Sequence, residues 1–313
     1  MEQTPLEPAA SAAAALARGD LVGLPTETVY GLGADATQPE AVAKIYAAKG
    51  RPHFNPLISH VASLEAAEAL GVFSPLARKM AHAFWPGPLS LVVPRQRDCA
   101  VCDLACAGLD TLALRVPSHP LMQEVLRAFG KPVAAPSANI SGRPSPTTAD
   151  HVRAEFGDKL ALVLDGGPSA VGLESAVVAV SGEQATLLRL GGLTREALEA
   201  VVGPLLTADA SAKAAPASPG MILRHYAPQA PVRLNATSAQ PGEVMIGFGS
   251  GYDGAAFNLS PTGELTEAAA NLFAMLRAAD ALSPAAIVIA PVPKTGLGEA
   301  IADRLARAAD RSC

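Results

Sequence analysis

Aromatic and charged residues are scarce in this 313-residue sequence, where they make up 4% and 17% of the chain. An average soluble protein has ~25% charged residues. The shortage of charge does not indicate disorder, because apolar residues make up 50% of the chain and can form a core. The formal net charge of −5 excludes a strong positive field that would draw the whole protein onto nucleic acid. No apolar run approaches the ~18 residues of a membrane span, so no membrane attachment is expected.

Cysteine is also scarce, with four residues, which excludes a disulfide scaffold and is typical of a reducing compartment. The N-terminal segment lacks a basic start followed by a long apolar core, so we predict no signal peptide and expect a cytoplasmic protein. Cys99, Cys102 and Cys106 have a C-x2-C-x3-C spacing that could hold zinc or an iron–sulfur cluster, or form a redox pair. No fourth Cys or His lies nearby, so three incidental thiols in a loop are favoured and no metal site is predicted.

Glycine and proline are abundant by contrast, with 27 residues each, and they predict many turns. The length suggests two domains of ~150 residues. Short apolar runs alternate with helical patterns up to about residue 200, which indicates a mixed α/β domain. We predict helices over 11–18, 39–49, 63–70, 74–84, 119–129, 148–156 and 194–201. We predict strands over 21–25, 56–61, 89–93, 112–116, 133–135, 160–164, 176–180 and 186–190.

The composition changes between residues 203 and 230 to small, polar and proline-punctuated residues, which predicts a linker between domains at 1–202 and 231–313. In the second domain, strands over 243–248 and 287–290 alternate with helices over 265–282 and 298–309, the pattern of a small Rossmann-like β/α unit. The glycine run 249–254 follows its first strand. No helix opens until about Leu265, so this run predicts a plain turn rather than a dinucleotide site.

The common signatures of nucleotide and hydrolase sites are missing: there is no P-loop, no HExxH and no GxSxG. Polar side chains are instead concentrated beside the predicted strands. The segments are PTETVYGLG (25–33), KGRPHFNPLISH (49–60), PSANISG (136–142), GLES (172–175) and, in the linker, SPGMILRHYAP (218–228). Such segments are typical of ligand sites at a sheet edge, with hydrogen-bonded turns as the alternative. Lys49 and Arg51 leave a helix C-terminus, where cations are ordinary dipole partners, but a lysine beside an arginine fork also suits a triphosphate.

Together with LRVPSHP (114–120), SAV (175–177) and LLRLGG (187–192), these segments resemble the YrdC-like family in order and spacing, over roughly residues 8–205. The linker segment and the β/α unit after it resemble the two-domain form of that family. The resemblance implies an α/β fold, with a twisted mixed sheet and helices followed by a small Rossmann-like C-terminal domain. It also implies that the linker 203–230 docks over the active site.

The activity implied by the resemblance is a nucleotidyltransferase reaction in which L-threonine, bicarbonate and ATP give L-threonylcarbamoyl-AMP and pyrophosphate. The product would supply the modification of a tRNA adenosine next to the anticodon, through a downstream tRNA threonylcarbamoyl transferase complex. The carbamate of threonine would attack the α-phosphorus, so the protein needs no nucleophile and works by positioning and charge neutralisation. Mg2+ is expected as a cofactor that arrives with ATP.

The resemblance also implies which residues carry the reaction. Threonine would be held by Thr28, His60, Arg115, Ser175 and the backbone at Ala135, with Arg115 suited to the carboxylate. ATP would be surrounded by Lys49, Arg51, Asn55, Thr111, Ser137, Asn139, Ser145, Arg189 and Tyr226. Lys49 and Arg51 are predicted to be catalytic, because they would stabilise charge on the transferring phosphate. Tyr226 would reach the nucleotide from the linker and help exclude water; the alternative is a passive tether with Tyr226 buried against the second domain.

Two rival functions are open to the same sequence. A double-stranded RNA or tRNA-binding module could use Lys49, Arg51, Arg143 and Arg153, but the net charge and the low aromatic content disfavour it. Direct tRNA binding is therefore expected to be weak or absent. A dehydrogenase built on the second domain would need the glycine run 249–254 to bind a dinucleotide, which the missing helix also disfavours.

Overall fold

The computed structural model describes residues 7–52, 54–207 and 225–310, and within them the chain builds two sheets with helices around them. The helices of the first domain are α1 (Pro8–Ala17), α2 (Pro39–Lys49), α3 (Leu64–Glu68), α4 (Pro75–Phe84), α5 (Pro120–Phe129), α6 (Ala149–Phe156) and α7 (Arg195–Val202). Its strands are β1 (Val22–Leu24), β2 (Gly31–Asp35), β3 (Ile58–His60), β4 (Leu89–Pro94), β5 (Thr111–Arg115), β6 (Val133–Ala134), β7 (Leu162–Val163), β8 (Ala176–Ser181), β9 (Gln184–Arg189) and β10 (Leu206–Thr207). The predicted α/β class is confirmed.

The large sheet is mixed and has the strand order β10-β9-β8-β4-β5-β3-β6-β2-β1-β7. Strands β3 and β5 run parallel at its centre, with Ile58 opposite Ala113 and His60 opposite Arg115. Because side chains alternate between the faces of a strand, His60 and Arg115 lie on the same face of the sheet as this apolar pair. The register therefore brings an imidazole and a guanidinium together at one end of the two strands.

Residues that favour helix termini stand at the ends of several helices. Helix α2 has Pro39 in its first turn and ends at Gly50, whose φ of 59° is left-handed and favours glycine. This C-terminus holds Lys49 in the last turn and redirects the chain towards Arg51. Helices α3, α4, α6 and α7 each begin with a Ser or Thr whose hydroxyl accepts a backbone N–H of the first turn.

The second domain contains the strands β11 (Val232–Arg233), β12 (Glu243–Gly247), β13 (Phe257–Asn258) and β14 (Ala286–Ile289), with the helices α8 (Leu265–Ala281) and α9 (Leu297–Ala309). Its four strands are all parallel, in the order β11-β14-β12-β13, as expected for a small Rossmann-like unit. The glycine run 249–254 forms a turn, and no helix opens before Leu265. The structure therefore supports the turn rather than the dinucleotide site.

The core of the second domain extends into the first. Its buried cluster is centred on Leu272, Phe273 and Ile301, and it also contains Val29 and Leu173 of the first domain and Tyr226 of the linker. The predicted linker is described only in part, since residues 208–224 lie outside the described residues. Strand β10 pairs with β9, so the first sheet reaches Thr207, beyond the predicted boundary at residue 202.

The sequence predicts a loop over 25–33, but residues from Gly31 onward form β2, which pairs antiparallel with β1. A Cβ added at Gly33 would come within 2.4 Å of Leu24 Cδ1, so this glycine allows the two strands to pack closely. Cys99 and Cys102 are half-buried and Cys106 is buried, all as free thiols. No group of three or more His, Cys, Asp or Glu side chains that could hold a metal occurs within the described ranges.

Candidate active site

A small cavity of about 50 Å³ lies at the end of β3 and β5, and it adjoins a larger cleft of about 460 Å³. Arg51 and His225 line both. The small cavity is here called the central cavity. Its lining comes from the strands β2, β3, β5 and β9, from loops beside the sheet and from the linker. The lining residues are Thr26, Thr28, Val29, Gly31, Arg51, Ile58, His60, Arg115, Ala135, Pro136, Ser137, Glu174, Ser175, Arg189, His225 and Tyr226. Side chains far apart in sequence thus converge on one space.

Arg115 is held rigidly at one wall of the central cavity. Its Nη1 donates to Thr28 Oγ1 at 2.9 Å, its Nη2 to Glu27 Oε1 at 2.6 Å and its Nε to the Gly87 carbonyl at 3.2 Å. Burial raises the pKa of Glu27, but the charge and hydrogen bonds of Arg115 outweigh it, so the net pKa lies below its ordinary value. Glu27 is therefore an anion near neutral pH. The three hydrogen bonds fix the orientation of the Arg115 fork, which is suited to a carboxylate.

His60 is a neutral imidazole beside Arg115. Burial and then the Arg115 charge lower its pKa to about 3. Its Nδ1 is buried and finds no hydrogen-bond partner among the described residues. An unpaired nitrogen in a buried position costs free energy, so it is a natural contact for a ligand group.

Ser175 and Arg189 also line the central cavity. The Ser175 hydroxyl lies 2.8 Å from that of Ser90 and 3.2 Å from Arg189 Nη2, and Arg189 also donates to the Ser175 carbonyl. Burial lowers the pKa of Arg189. The neighbouring Glu174 accepts a hydrogen bond from the Ser145 hydroxyl and another from Arg304 Nε at 3.0 Å.

Arg51 connects the central cavity to the cleft. It donates from Nε to the Asn55 carbonyl at 3.3 Å and from Nη2 to the Pro56 carbonyl at 3.1 Å. Burial lowers its pKa to about 10, so it stays a cation near neutral pH. The cleft contains several buried polar atoms that find no hydrogen-bond partner among the described residues. They are the side-chain oxygen and nitrogen of Asn55, the Ser141 hydroxyl and His225 Nδ1. These unpaired groups give a ligand in the cleft several hydrogen bonds that the free protein lacks.

Tyr226 closes the space from the linker side. Its φ of 64° is unusual for an aromatic residue and marks a strained backbone. The ring centroid lies 5.3 Å from that of Phe273 and 5.2 Å from the Arg304 guanidinium carbon. The sequence offered nucleotide contact or burial against the second domain as alternatives. Tyr226 both lines the central cavity and is buried in the second core, so the two are not exclusive.

Most of the predicted site residues meet in this region. Those that line the central cavity or the cleft are Thr28, Arg51, Asn55, His60, Arg115, Ala135, Ser137, Ser175, Arg189 and Tyr226. The predicted residues that line neither are Lys49, Thr111, Asn139 and Ser145. Their predicted contacts with ATP stay predictions.

Each of these other residues has a different environment. Lys49 donates to the Ser137 and Asn139 carbonyls, and burial, followed by the Arg51 charge, lowers its pKa well below the ordinary value. Asn139 donates to the Ile140 and Arg143 carbonyls. Both side chains brace the loop that carries Ser137. The phosphate contact and the catalytic role predicted for Lys49 stay predictions. Thr111 lies at the start of β5, four residues before Arg115 and on the same face of the sheet.

The sequence assigned no role to Glu27, Glu174, His225 or Arg304. The first three stand inside the quoted segments, so their position was a signal that could have been used. Arg304 lies in the regular pattern of α9, and no local feature distinguishes it from its neighbours. Its contact with Glu174 joins residues far apart in sequence and becomes visible only in the fold.

Fold and site together define a class of protein: a two-domain α/β protein whose arginine-lined cavity and adjoining polar cleft suit small ligands that carry carboxylate or phosphate. Comparison with known proteins identifies the family within this class. Residues 14–191 match the Sua5/YciO/YrdC family model, described as "Telomere recombination", and residues 193–310 match the model "Threonylcarbamoyl-AMP synthase, C-terminal domain". The chain belongs to the Sua5/YciO/YrdC family, in its two-domain form, as the resemblance predicted.

Relatives match over nearly the full length. The threonylcarbamoyl-AMP synthase of Bacillus subtilis is 41% identical over 96% of this chain and 92% of its own, and that of Pyrococcus abyssi is 42% identical over 95% and 92%. The crystal structure of P. abyssi Sua5 with L-threonine has a TM-score of 0.88 at 38% identity, covering 98% of this chain and 96% of that one. A variant of the same protein, with an adjacent His and Tyr both changed to Ala, has a TM-score of 0.86 at 37% identity, covering 96% and 92%.

Proposed function

We propose that this protein makes L-threonylcarbamoyl-AMP from L-threonine, bicarbonate and ATP, and releases pyrophosphate. The observation that carries the proposal is the near-full-length likeness to a structure that holds L-threonine, with a TM-score of 0.88. The geometry supports it: a rigid Arg115 fork lies beside a neutral His60, next to a cleft with an unpaired amide at Asn55. The Arg115 side of the central cavity suits an amino acid, and the Arg51 and Arg189 side, together with the cleft, suits a nucleotide.

In the proposed reaction, the threonine amine and bicarbonate form a carbamate with loss of water. A carbamate oxygen then bonds to the α-phosphorus of ATP as the bond to the pyrophosphate oxygen breaks, so the AMP moiety is transferred and the class is nucleotidyltransferase. Arg115 would hold the threonine carboxylate, and Thr28 and Ser175 would offer hydroxyl partners. Arg51, at the junction of cavity and cleft, would stabilise the charge that develops on the phosphates.

Mg2+ would enter with ATP, since the residues around the cavity do not form a magnesium site of their own. Among the described residues that line the central cavity, Glu174 is the only acidic one. Both of its carboxylate oxygens already accept hydrogen bonds, one from Ser145 and one from Arg304. Oxygens of the substrate phosphates are common ligands of Mg2+. No step proposed above depends on a metal ligand from the protein.

The rival RNA-binding function finds no support in the positions of its residues. Lys49 and Arg51 are buried, and Arg143 and Arg153 pair with Glu155 and Asp150. We propose instead that the adenylate is passed to a tRNA threonylcarbamoyl transferase complex, which handles the tRNA. No helix within the described part of the chain is long and apolar enough to cross a membrane. The cytoplasmic location stays a prediction.

The decisive experiment measures pyrophosphate release with each substrate omitted in turn, and it identifies the adenylate by mass spectrometry. We expect release that requires L-threonine, bicarbonate and ATP together. Valine, which lacks the hydroxyl, should react up to ~10^4-fold more slowly if the site pairs that hydroxyl, because its own polar groups would be left unpaired. Equal rates with valine and threonine, or release without bicarbonate, would refute the proposal.

A further inference from the structure

The wall of the central cavity carries a buried negative charge at Glu174. Among the described residues that line this cavity, Glu174 is the only acidic one, and the same lining contains Arg51, Arg115 and Arg189. Burial raises the pKa of Glu174, but Arg304, Arg189 and the Ser145 hydrogen bond outweigh it, so the net pKa lies below the ordinary value. Because the Arg51 and Arg189 side of this cavity is the one proposed to receive the phosphates of ATP, a carboxylate in its wall would repel them unless another group neutralised it.

The neutralising group comes from the second domain. Arg304 of α9 is completely buried, and its Nε donates to Glu174 Oε2 at 3.0 Å. Its Nη2 donates to the Leu190 carbonyl at 2.7 Å and its Nη1 to Asp303 at 2.7 Å. The same guanidinium lies over the ring of Tyr226. Arg304 therefore contacts two lining residues at once, one from the first domain and one from the linker.

We propose that Arg304 is a positioning residue through which the second domain takes part in ATP binding, because it cancels the charge of Glu174 in the cavity wall. The inference rests on the proposed function. Arg189 is also close to Glu174, but it donates three hydrogen bonds to Ser175. Arg304 forms the direct ion pair with Glu174, and breaking a buried pair leaves an uncompensated charge behind.

The test uses the full chain with Arg304→Gln, the double variant Arg304→Gln/Glu174→Gln, Arg304→Lys, and Arg195→Gln as the matched control. Arg195 forms another ion pair between the domains, 3.6 Å from Glu299 on the same helix α9, away from the cavity lining. Each variant is measured for thermal stability, for the KM values of ATP and threonine, and for the affinity of a non-hydrolysable ATP analogue.

Arg304→Gln should raise the KM for ATP about tenfold or more, because Glu174 then faces the phosphates unneutralised, and should raise the KM for threonine less than about threefold. The double variant should bring the KM for ATP back to within about threefold of the wild type, since a neutral amide does not repel phosphate. If Arg304 only stabilised the fold, adding Glu174→Gln to Arg304→Gln would impair the protein further. Arg195→Gln should leave both KM values within about twofold, because a partly exposed pair contributes little.

A KM for ATP that Arg304→Gln leaves within about twofold of the wild type would overturn the inference, and so would a double variant as impaired as the single one. If Arg304→Gln does not fold, Arg304→Lys decides, because it keeps the positive charge without the other hydrogen bonds. A KM for ATP near that of the wild type supports the inference, and a tenfold rise refutes it. Should the wild type release no threonine-dependent pyrophosphate, the proposed function fails, while the affinity of the ATP analogue still tests the role of Arg304.

Discussion

Replacing Glu27 by glutamine tests whether Arg115 depends on its buried partner. The two side chains are 2.6 Å apart, with Arg115 3% exposed and Glu27 9% exposed. Glutamine keeps the shape and one acceptor oxygen but removes the charge. The Glu27 carboxylate also accepts the Ser118 backbone N–H, so the change affects two of the bonds that hold this wall of the cavity.

Removal of one partner from a buried pair costs about 3 to 5 kcal/mol, and we expect the lower end because glutamine can still accept a hydrogen bond. For a domain of this size, about 3 kcal/mol lowers the Tm by roughly 6 to 12 °C. A misplacement of about 1 Å at the Arg115 fork can reduce the rate ~100-fold, so kcat/KM for threonine should fall by about that factor. The KM for ATP should change much less, because Asn55 lies in the cleft and Arg51 lies at the junction of the cavity and the cleft.

The pH dependence gives an independent check. The folded protein holds the pKa of Glu27 below its ordinary value, so the stabilisation by this pair is present above the unfolded pKa of ~4.3 and is lost as the pH falls through the folded pKa. The difference in unfolding free energy between wild type and Glu27→Gln should therefore shrink in acid. Glu68→Gln, which breaks an exposed pair with Arg78, is the control and should cost less than ~1 kcal/mol. If Glu27→Gln matches that control in Tm and in kcat/KM for threonine, the reasoning is refuted.

Further predictions concern the nucleotide side. Arg51→Ala should lower kcat at saturating ATP by ~100-fold to ~1000-fold, measured as pyrophosphate release, and near-normal turnover would contradict its charge-stabilising role. Asn55→Ala should raise the KM for ATP about tenfold without lowering the Tm, because its amide has no partner to lose in the free protein; a lower Tm would contradict this. Tyr226→Ala should lower the free energy of unfolding by ~3 to 5 kcal/mol in chemical denaturation and should also raise the KM for ATP. An unchanged stability would show that its packing contributes little.

Elements with strong local signals could be predicted from the sequence. Helix α2 follows the predicted 39–49, because Pro39 in its first turn and the left-handed Gly50 are local features. Strand β2 was missed, because Gly31 and Gly33 have low strand propensity and their strand conformation depends on pairing with β1. The two-residue strands β10, β11 and β13 were also missed, since each is defined by its pairing with another strand rather than by a pattern in its own residues.

The site could be predicted where short polar segments follow strands, because the fold brings strand ends together. The direction in which a buried lysine or arginine side chain points could not be predicted. Lys49 and Arg51 are two residues apart, yet Lys49 donates to backbone carbonyls while Arg51 lines the cavity and the cleft. Which way each side chain points depends on the loop around Ser137, which comes from a distant part of the chain.

The packing of the second domain explains why the site cannot be understood from the first domain alone. Gly172 has a φ of 72°, and a Cβ there would come within 2.4 Å of the Ala269 carbonyl oxygen in α8. Helix α8 therefore rests directly on the backbone that leads to Glu174 and Ser175. Arg277 of the same helix donates to the carbonyl groups of Pro144 and Ser145. Because α8 and α9 contact these site loops from behind, the second domain determines the position of a cavity wall to which it contributes no lining side chain in the described residues.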